Sequence, residues 1–310
     1  MNLRLLSAVG FVAVLAATFV ITEGSAQPNT VRKIVDGVWF VEGDMKQGHS
    51  NNSIIEMKDY LVVVDANFPS GARLTMAHAK QLSPKPVKYV FDTHHHGDHA
   101  YGNAVWTAAG ATTLAYKGVT EEMNRYEPGR WKETAASRKD VADLKLKDAE
   151  RPKQTFDGPK FVLNDGTREL QFLALGWAHT KGDAMAWLPK ERVLCSGDAA
   201  TNGAYNYTAD ANIGNWPKVM DAALKLDPLY VLPGHGSAGG KEILSGQSAF
   251  MSELKKGVAA VVASGKTPDK TNVKLPDGVK SWVGGSLAEQ IKDTATEIAA
   301  GKAVGALPHK

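Results

Sequence analysis

Four histidines and one aspartate occur within the seven residues Thr93–His99, directly after a β-branched, strand-like segment. In an extended chain, residues two apart point to the same side, so His94 and His96 can approach one metal ion together. Asp98 and His99 follow where the chain is expected to turn into a helix, and they can reach a second ion. Imidazole and carboxylate donors suit zinc and iron. A surface cluster resembling a purification tag is the alternative, and the preceding strand argues against it.

Three further residues of metal-binding type lie later in the chain, each where a predicted strand ends. They are His179, Asp198 and His235. A single histidine in a loop is usually structural or exposed, so none of the three is informative alone. Loop-borne ligands converge where the strands of a scaffold end, and this shared position makes the set informative.

With these positions assembled, the sequence resembles the metallo-β-lactamase superfamily, whose motif is H-x-H-x-D-H followed by a later His, Asp and His. The resemblance covers roughly residues 31 to 240 and includes every ligand position of the glyoxalase II-like pattern. The implied ligands are His94, His96 and His179 for a first metal, Asp98, His99 and His235 for a second, and Asp198 as the bridge. The implied fold is an α/β, four-layer αββα sandwich with the metals at one edge.

The resemblance also implies a chemistry. Two divalent ions, zinc being expected and iron or manganese being alternatives, lower the pKa of bound water toward about 7 and supply a hydroxide at neutral pH. The expected reaction is hydrolysis of an acyl bond in an ester, thioester, lactone or β-lactam amide. Asp98 and His235 are the candidate catalytic residues. His49, Tyr205 and Tyr207 are candidate substrate contacts.

Three other functions stay open at this point. A β-lactamase proper is one, although one subclass has Cys where this chain has Asp198 and Lys where it has Thr201. A persulfide dioxygenase is another, because that group keeps the motif but binds a single iron. A non-catalytic metal-binding protein is the third, and an intact ligand set with open coordination argues against it. His95 is expected to point away from the metals, as a packing or supporting residue.

Composition limits the class of partner. The chain has 310 residues, 43% of them hydrophobic, and a net charge of +3, which is too small to indicate a nucleic-acid partner. A small-molecule substrate is therefore expected, and the sequence assigns no oligomeric state. Cys195 is the only cysteine, so neither an internal disulfide nor a four-cysteine zinc site can form.

The first residues look like an export signal. A positive start is followed by an apolar run from Leu5 to Ile21, with small residues ahead of Gln27. We expect a cleaved signal peptide over residues 1–26 and a periplasmic or secreted protein without stable membrane insertion; a retained anchor is the alternative. A hydrolase domain over residues 27–265 and a C-terminal helical extension over 266–310 complete the expected organisation.

The elements that must position these residues follow from periodicity and turn signals. Helices are predicted at Gly71–Leu82, Trp216–Leu226, Lys241–Ala263 and Leu287–Ala300, with helical period also in the charged stretch Lys117–Arg151. Strands are predicted at Val38–Val41, Ile54–Met57, Tyr60–Val64, Val87–Phe91, Phe161–Leu163, Leu170–Leu175, Met185–Leu188, Arg192–Leu194 and Tyr230–Leu232. Two β-rich halves with helices outside them fit the four-layer arrangement.

Overall fold

Two β-sheets packed face to face form the centre of the computed structural model, which describes residues 28–301. The predicted signal segment lies outside these residues. The first sheet has seven strands in chain order: β1 (Val31–Val35), β2 (Val38–Val41), β3 (Asn52–Glu56), β4 (Leu61–Val64), β5 (Val87–Asp92), β6 (Thr112–Tyr116) and β7 (Gln154–Phe156). The second sheet has five strands, which are also adjacent in chain order: β8 (Lys160–Asn164), β9 (Glu169–Leu173), β10 (Met185–Leu188), β11 (Val193–Gly197) and β12 (Tyr230–Pro233).

Strand pairing changes from antiparallel to parallel once in each sheet. Strands β1 to β4 form an antiparallel meander, and β4 to β7 are parallel to one another. In the second sheet β8 to β11 are antiparallel and β12 is parallel to β11. Consequently β9, β11 and β12 run in the same direction, and their carboxyl ends lie at the same edge. The loops that follow these three strands carry His179, Asp198 and His235.

Nine α-helices lie in the described range, mostly outside the two sheets. They are α1 (Pro69–Leu82), α2 (Gly97–Ala100), α3 (Asn103–Ala108), α4 (Lys117–Tyr126), α5 (Gly129–Ser137), α6 (Lys139–Ala142), α7 (Trp216–Leu224), α8 (Glu242–Ala263) and α9 (Leu287–Ala299). None of the helices in residues 28–301 is long and apolar enough to cross a membrane.

Three hydrophobic clusters account for the layers. One fills the space between the sheets, where the rings of Phe91 on β5 and Phe172 on β9 lie 4.2 Å apart. A second lies between the first sheet and helices α1 and α3. The third lies between the second sheet and helices α7, α8 and α9. The order helices, sheet, sheet, helices confirms the predicted αββα class.

Most predicted elements are present, including the hairpin turn at Asn164–Gly166, where Gly166 has a φ of +82°. The sequence patterns predict no strand at β1, β6 or β7. Strand β1 is an exposed edge strand, and β7 has only three residues, so neither has a clear apolar period. Strand β6 was missed because its Thr-Thr-Leu-Ala-Tyr sequence merges with the helical residues on both sides.

The charged stretch after β6 folds as an insertion of three helices, α4, α5 and α6. Its own hydrophobic cluster joins Val119, Met123 and Trp131 to Tyr101, which follows the histidine motif. The insertion is therefore packed against the segment that carries the histidine motif.

Candidate metal centre

The histidine motif begins one residue after β5 ends at Asp92, and α2 begins at Gly97. This change from strand to helix separates the motif into two groups. His94 and His96 belong to the extended part, whereas Asp98 and His99 occupy the first helical turn. The local geometry is the one expected from the spacing of the residues.

The first group brings together His94, His96 and His179, whose donor atoms lie within 4.8 Å of one another. His96 Nδ1 and His179 Nε2 are 2.9 Å apart. Burial and the neighbouring His96 lower the pKa of His179 to about 3, so this imidazole is neutral with a free lone pair. The Nε2 of His94 is buried and has no hydrogen-bond partner. Three imidazole nitrogens this close together could coordinate one metal ion.

The second group contains Asp98, His99 and His235, again with donor atoms within 4.8 Å. His235 Nε2 lies 3.0 Å from Asp98 Oδ2, and His99 Nε2 lies 3.5 Å from the same oxygen. Burial disfavours the charged form of His235, but Asp198 and Asp98 outweigh it and raise its pKa to about 9. In the protein alone, a positive charge is thus held between carboxylates at this position.

Asp198 lies between the two groups. Its Oδ2 is 3.5 Å from His235 Nε2 and 3.7 Å from His179 Nε2, and its Oδ1 is 3.4 Å from His99 Nε2. Gly234 permits this arrangement, because a Cβ there would lie 2.0 Å from Asp198 Oδ1. The sequence set of seven residues therefore converges on one place.

The donor set fits a pair of divalent cations. Buried nitrogen and oxygen atoms without hydrogen-bond partners cost free energy unless something else satisfies them. Such atoms occur on four of these residues: His94 Nε2, His99 Nε2, Asp198 Oδ1 and His235 Nδ1. Imidazole and carboxylate donors in this arrangement suit zinc, and also iron or manganese.

Two carboxylates that orient histidines of the site were not among the residues predicted from the sequence. Asp65 follows β4 and lies 2.8 Å from His99 Nδ1, which leaves His99 Nε2 directed at the site. Asp210 lies 2.8 Å from His96 Nε2, which leaves His96 Nδ1 directed at His179. Carboxylates that bond the outer nitrogen of a histidine fix its tautomer and ring orientation. One sequence feature could have indicated Asp65: it directly follows a buried strand, as the proposed ligands do.

A third supporting carboxylate, Asp183, shapes the turn that carries His179. It accepts hydrogen bonds from the backbone N–H groups of His179 and Thr180, at 2.7 and 2.9 Å. Burial raises the pKa of Asp183 to about 7. Asp183 thus holds His179 through the backbone and not through its ring.

His95 points away from the two metal groups, as the alternation of an extended chain predicts. Its ring stacks on Tyr126, with ring centroids 5.3 Å apart, and its Nε2 lies 3.1 Å from Arg130 Nη1. Arg130 also forms two hydrogen bonds to Asp210, at 2.8 and 3.0 Å. The insertion is therefore joined to the carboxylate that supports His96. No sequence pattern indicated a role for Arg130.

A cavity of about 420 Å³ opens over the metal groups. Tyr205 and Tyr207 stand on its wall and are 40% and 48% exposed. The ring of Tyr207 lies 5.3 Å from that of His96, and the ring of Tyr205 lies 5.9 Å from that of His235. The insertion supplies the facing wall. The lining residues are Phe68, His95, His96, Gly97, Asp98, Tyr101, Glu127, Arg130, Glu133, Thr134, Asp198, Tyr205, Tyr207 and His235.

His49 is placed differently from the two tyrosines. It is 3% exposed, and its Nε2 lies 2.8 Å from Ser70 Oγ, which in turn donates to Asp140 at 2.6 Å. It does not line the cavity. His49 instead lies in the loop between β2 and β3, and its bond to Ser70 joins this loop to α1 and, through Asp140, to the insertion.

Comparison with known proteins places these residues in a family context. The family model described as metallo-beta-lactamase superfamily matches residues 45–235. The metallo-beta-lactamase type 2 of Bacteroides fragilis is 33% identical over 98 residues, which are 30% of this chain and 39% of that protein. The metallo-beta-lactamase type 2 of Bacillus cereus is 24% identical over 205 residues, 63% of this chain and 70% of that protein.

Solved structures agree at the level of the fold. The metallo-beta-lactamase from Hirschia baltica superposes with a TM-score of 0.58 and 23% identity, covering 73% of this chain and 98% of that one. The metallo-beta-lactamase from Pontibacter korlensis gives 0.57 and 21%, covering 72% and 98%. The match to the family model ends at residue 235, so helices α8 and α9 lie beyond the matched part of the chain.

Proposed function

The chain belongs to the metallo-β-lactamase superfamily, and we propose that it is an exported, binuclear metal-dependent hydrolase that opens an acyl bond in a small molecule. The acyl bond belongs to an ester, thioester, lactone or β-lactam amide. One observation carries the proposal: seven histidine and aspartate side chains from four separate loops converge, and several of their donor atoms are buried without a hydrogen-bond partner. An intact donor set beside an open cavity is what a catalytic site needs and a structural one does not.

Each residue of the site has a defined task in this proposal. His94, His96 and His179 would hold one ion, Asp98, His99 and His235 would hold the other, and Asp198 lies where it could reach both. Zinc is the expected metal, and iron or manganese are the alternatives. When bound, such ions polarise a carbonyl and lower the pKa of water to about 7.

The protein's own groups do the remaining work. Asp98 lies on the open side of the site, where its side chain is 25% exposed, and it orients the attacking water. His235 Nε2 lies 3.0 Å from the Asp98 carboxylate, so it is placed to support Asp98 in this role. Tyr205 and Tyr207 contact the substrate on the exposed wall of the cavity.

A β-lactam is the second candidate substrate, because the relatives reported above are named metallo-beta-lactamases. Two residues disfavour it. Thr201 and Tyr207 stand where the resemblance leads us to expect a lysine and an asparagine that contact the substrate. Neither residue supplies a positive charge for the carboxylate of a β-lactam.

The decisive experiment is a substrate panel run on purified enzyme with its metal content quantified. Esters, thioesters, lactones and β-lactams are each assayed with zinc, iron and manganese. We expect turnover of at least one acyl class that depends on about two metal ions per chain. Binding of two ions without turnover of any class would leave a non-catalytic metal protein. Oxygen uptake with a persulfide substrate and one iron per chain would instead establish a dioxygenase.

Export is a separate part of the proposal and has its own test. Cleavage after residue 26 is expected to give a mature protein that begins at Gln27 and is recovered from the periplasm or the medium. Sequencing the amino terminus of the recovered protein measures this directly. A chain that retains residues 1–26 and sediments with membranes would support the anchor instead.

A further inference from the structure

The C-terminal helix α9 carries a carboxylate that no part of the metal site explains. The Glu297 side chain is only 4% exposed. Its two oxygens accept hydrogen bonds from the backbone N–H groups of Ile213 and Gly214, at 2.7 and 2.8 Å, and Lys255 Nζ lies 3.6 Å away. A buried carboxylate is tolerated only where such partners compensate for its lost hydration. The same contacts give two backbone donors their acceptor.

Other residues of the same segment hold the same loop. Asp293 Oδ2 accepts from Thr208 Oγ1 at 2.7 Å, and Gln290 Nε2 donates to the carbonyl of Asn206 at 2.7 Å. Just before α9, Trp282 Nε1 donates to the carbonyl of Thr201 at 3.3 Å. The contacts therefore extend along residues 201–214, the greater part of the connection between β11 and α7.

This loop carries three residues that face the active site. Tyr205 and Tyr207 form the exposed wall of the cavity, and Asp210 supports His96 at 2.8 Å. The loop contains no helix or strand, so its conformation depends on contacts made by other elements. Helix α9 and the residues just before it supply the five hydrogen bonds to this loop described above.

We propose that α9 is a positioning element of the active site, in which Glu297 and Asp293 set the conformation of residues 201–214 and thereby place the tyrosine wall. The inference rests on the proposed hydrolase function for its effect on turnover, but not for its effect on the loop. The positioning residues lie outside the part of the chain that the family model matches. Substrate selection is thus partly determined by the C-terminal extension.

The test uses Glu297→Gln, which keeps the size of the side chain but turns an amide N–H₂ toward one backbone donor. Glu289→Gln is the matched control, since Glu289 is an exposed glutamate on the same helix. Hydrogen exchange of peptides covering residues 201–214 is measured in both variants and in the wild type. The same proteins are assayed with the best substrate from the panel, at saturating zinc, with zinc content and Tm recorded.

We expect exchange at residues 201–214 to accelerate at least tenfold in Glu297→Gln while the rest of the chain exchanges as before. KM should rise at least about fivefold with a smaller change in kcat, and Glu289→Gln should match the wild type in both measurements. Unchanged exchange would overturn the proposal, and so would faster exchange with unchanged KM. A uniform acceleration with a matching loss of zinc and Tm would also overturn it, because that is the result of a merely structural role.

A second variant guards against a failure of Glu297→Gln to fold. Asp293 is partly exposed, so Asp293→Ala should leave the core intact while removing the acceptor of Thr208. It should give the same local change in exchange and the same shift in KM. If the wild type hydrolyses nothing, the proposed function fails, and local acceleration of exchange in these variants still supports α9 as the positioning element of the loop.

Discussion

At the scale of single residues, the site depends on donor atoms whose outer partners fix their direction. Asp65 and Asp210 each bond the outer nitrogen of a ligand histidine, and Asp183 holds the backbone of a third. The rings of His96 and His99 therefore each direct their other nitrogen at the centre. Because these side chains are already oriented, they lose less conformational entropy when an ion binds.

His179→Ala and Asp98→Asn are each expected to remove nearly all turnover while leaving the fold largely intact. The first removes an imidazole that completes the three-histidine group, and the second removes a carboxylate charge from the other group. Turnover, bound metal and circular dichroism are measured together. Asp277→Asn serves as the control, since that aspartate is 91% exposed and remote from the site. Substantial activity in both ligand variants would contradict the binuclear assignment.

Cys195 is expected to be inert toward thiol reagents in the native protein. It lies on β11, is 1% exposed, and burial raises the pKa of its thiol to about 12, so almost no thiolate exists at pH 8. Alkylation by iodoacetamide at pH 8 should be negligible in buffer and complete in denaturant, as read by mass spectrometry. Rapid labelling of the native protein would show that this strand opens readily.

At the scale of elements, the insertion of α4, α5 and α6 is one wall of the cavity as well as an outer layer. Glu127, Arg130 and Thr134 line the cavity opposite the tyrosines. The guanidinium of Arg130 lies 3.7 Å from the ring centroid of Tyr126, in addition to its two bonds to Asp210. The insertion thereby fixes a carboxylate that belongs to a different loop.

Arg130→Ala is expected to lower kcat/KM by about 10- to 100-fold, the range typical for residues that support a metal ligand. The reason is that Asp210 loses its two-point partner and no longer holds His96 in one orientation. Arg125→Ala on the neighbouring helix is the control, because Arg125 is 64% exposed and does not contact Asp210. Steady-state kinetics and zinc titration measure the effect. Equal kinetics in the two variants would show that the insertion acts only as a cover.

At the scale of the whole molecule, the packing of the two sheets on each other fixes the relative positions of the proposed ligands. The first sheet carries the histidine motif, and the second carries the loops of His179, Asp198 and His235. The contact between Phe91 and Phe172 lies directly between the sheets. Any slip at this interface would separate the two halves of the ligand set.

Phe172→Ala is expected to lower the free energy of unfolding by about 3–5 kcal/mol, the usual effect of emptying a buried phenylalanine site. Urea denaturation of the metal-loaded protein measures the change. Val162→Ala on the edge strand β8 should stay within about 0.5 kcal/mol, because Val162 is 38% exposed. A loss below about 1 kcal/mol for Phe172→Ala would mean that the sheets do not depend on this contact.

Sequence alone determined the fold class and most of the strands and helices, and it predicted the seven residues that the structure brings together. These features follow from short-range physics: alternation along a strand, turn chemistry and the donor types that divalent ions accept. The family resemblance then related the four separated ligand positions to one another.

Only the tertiary structure decided which other residues reach the site. Arg130, Asp210 and Glu297 are far apart in the chain and show no common period, yet one chain of contacts joins the insertion, the loop of residues 201–214 and α9. The tertiary structure also buried His49 against α1 and left Tyr205 and Tyr207 on the cavity wall. Such choices depend on packing between distant segments, and no local pattern in the sequence encodes them.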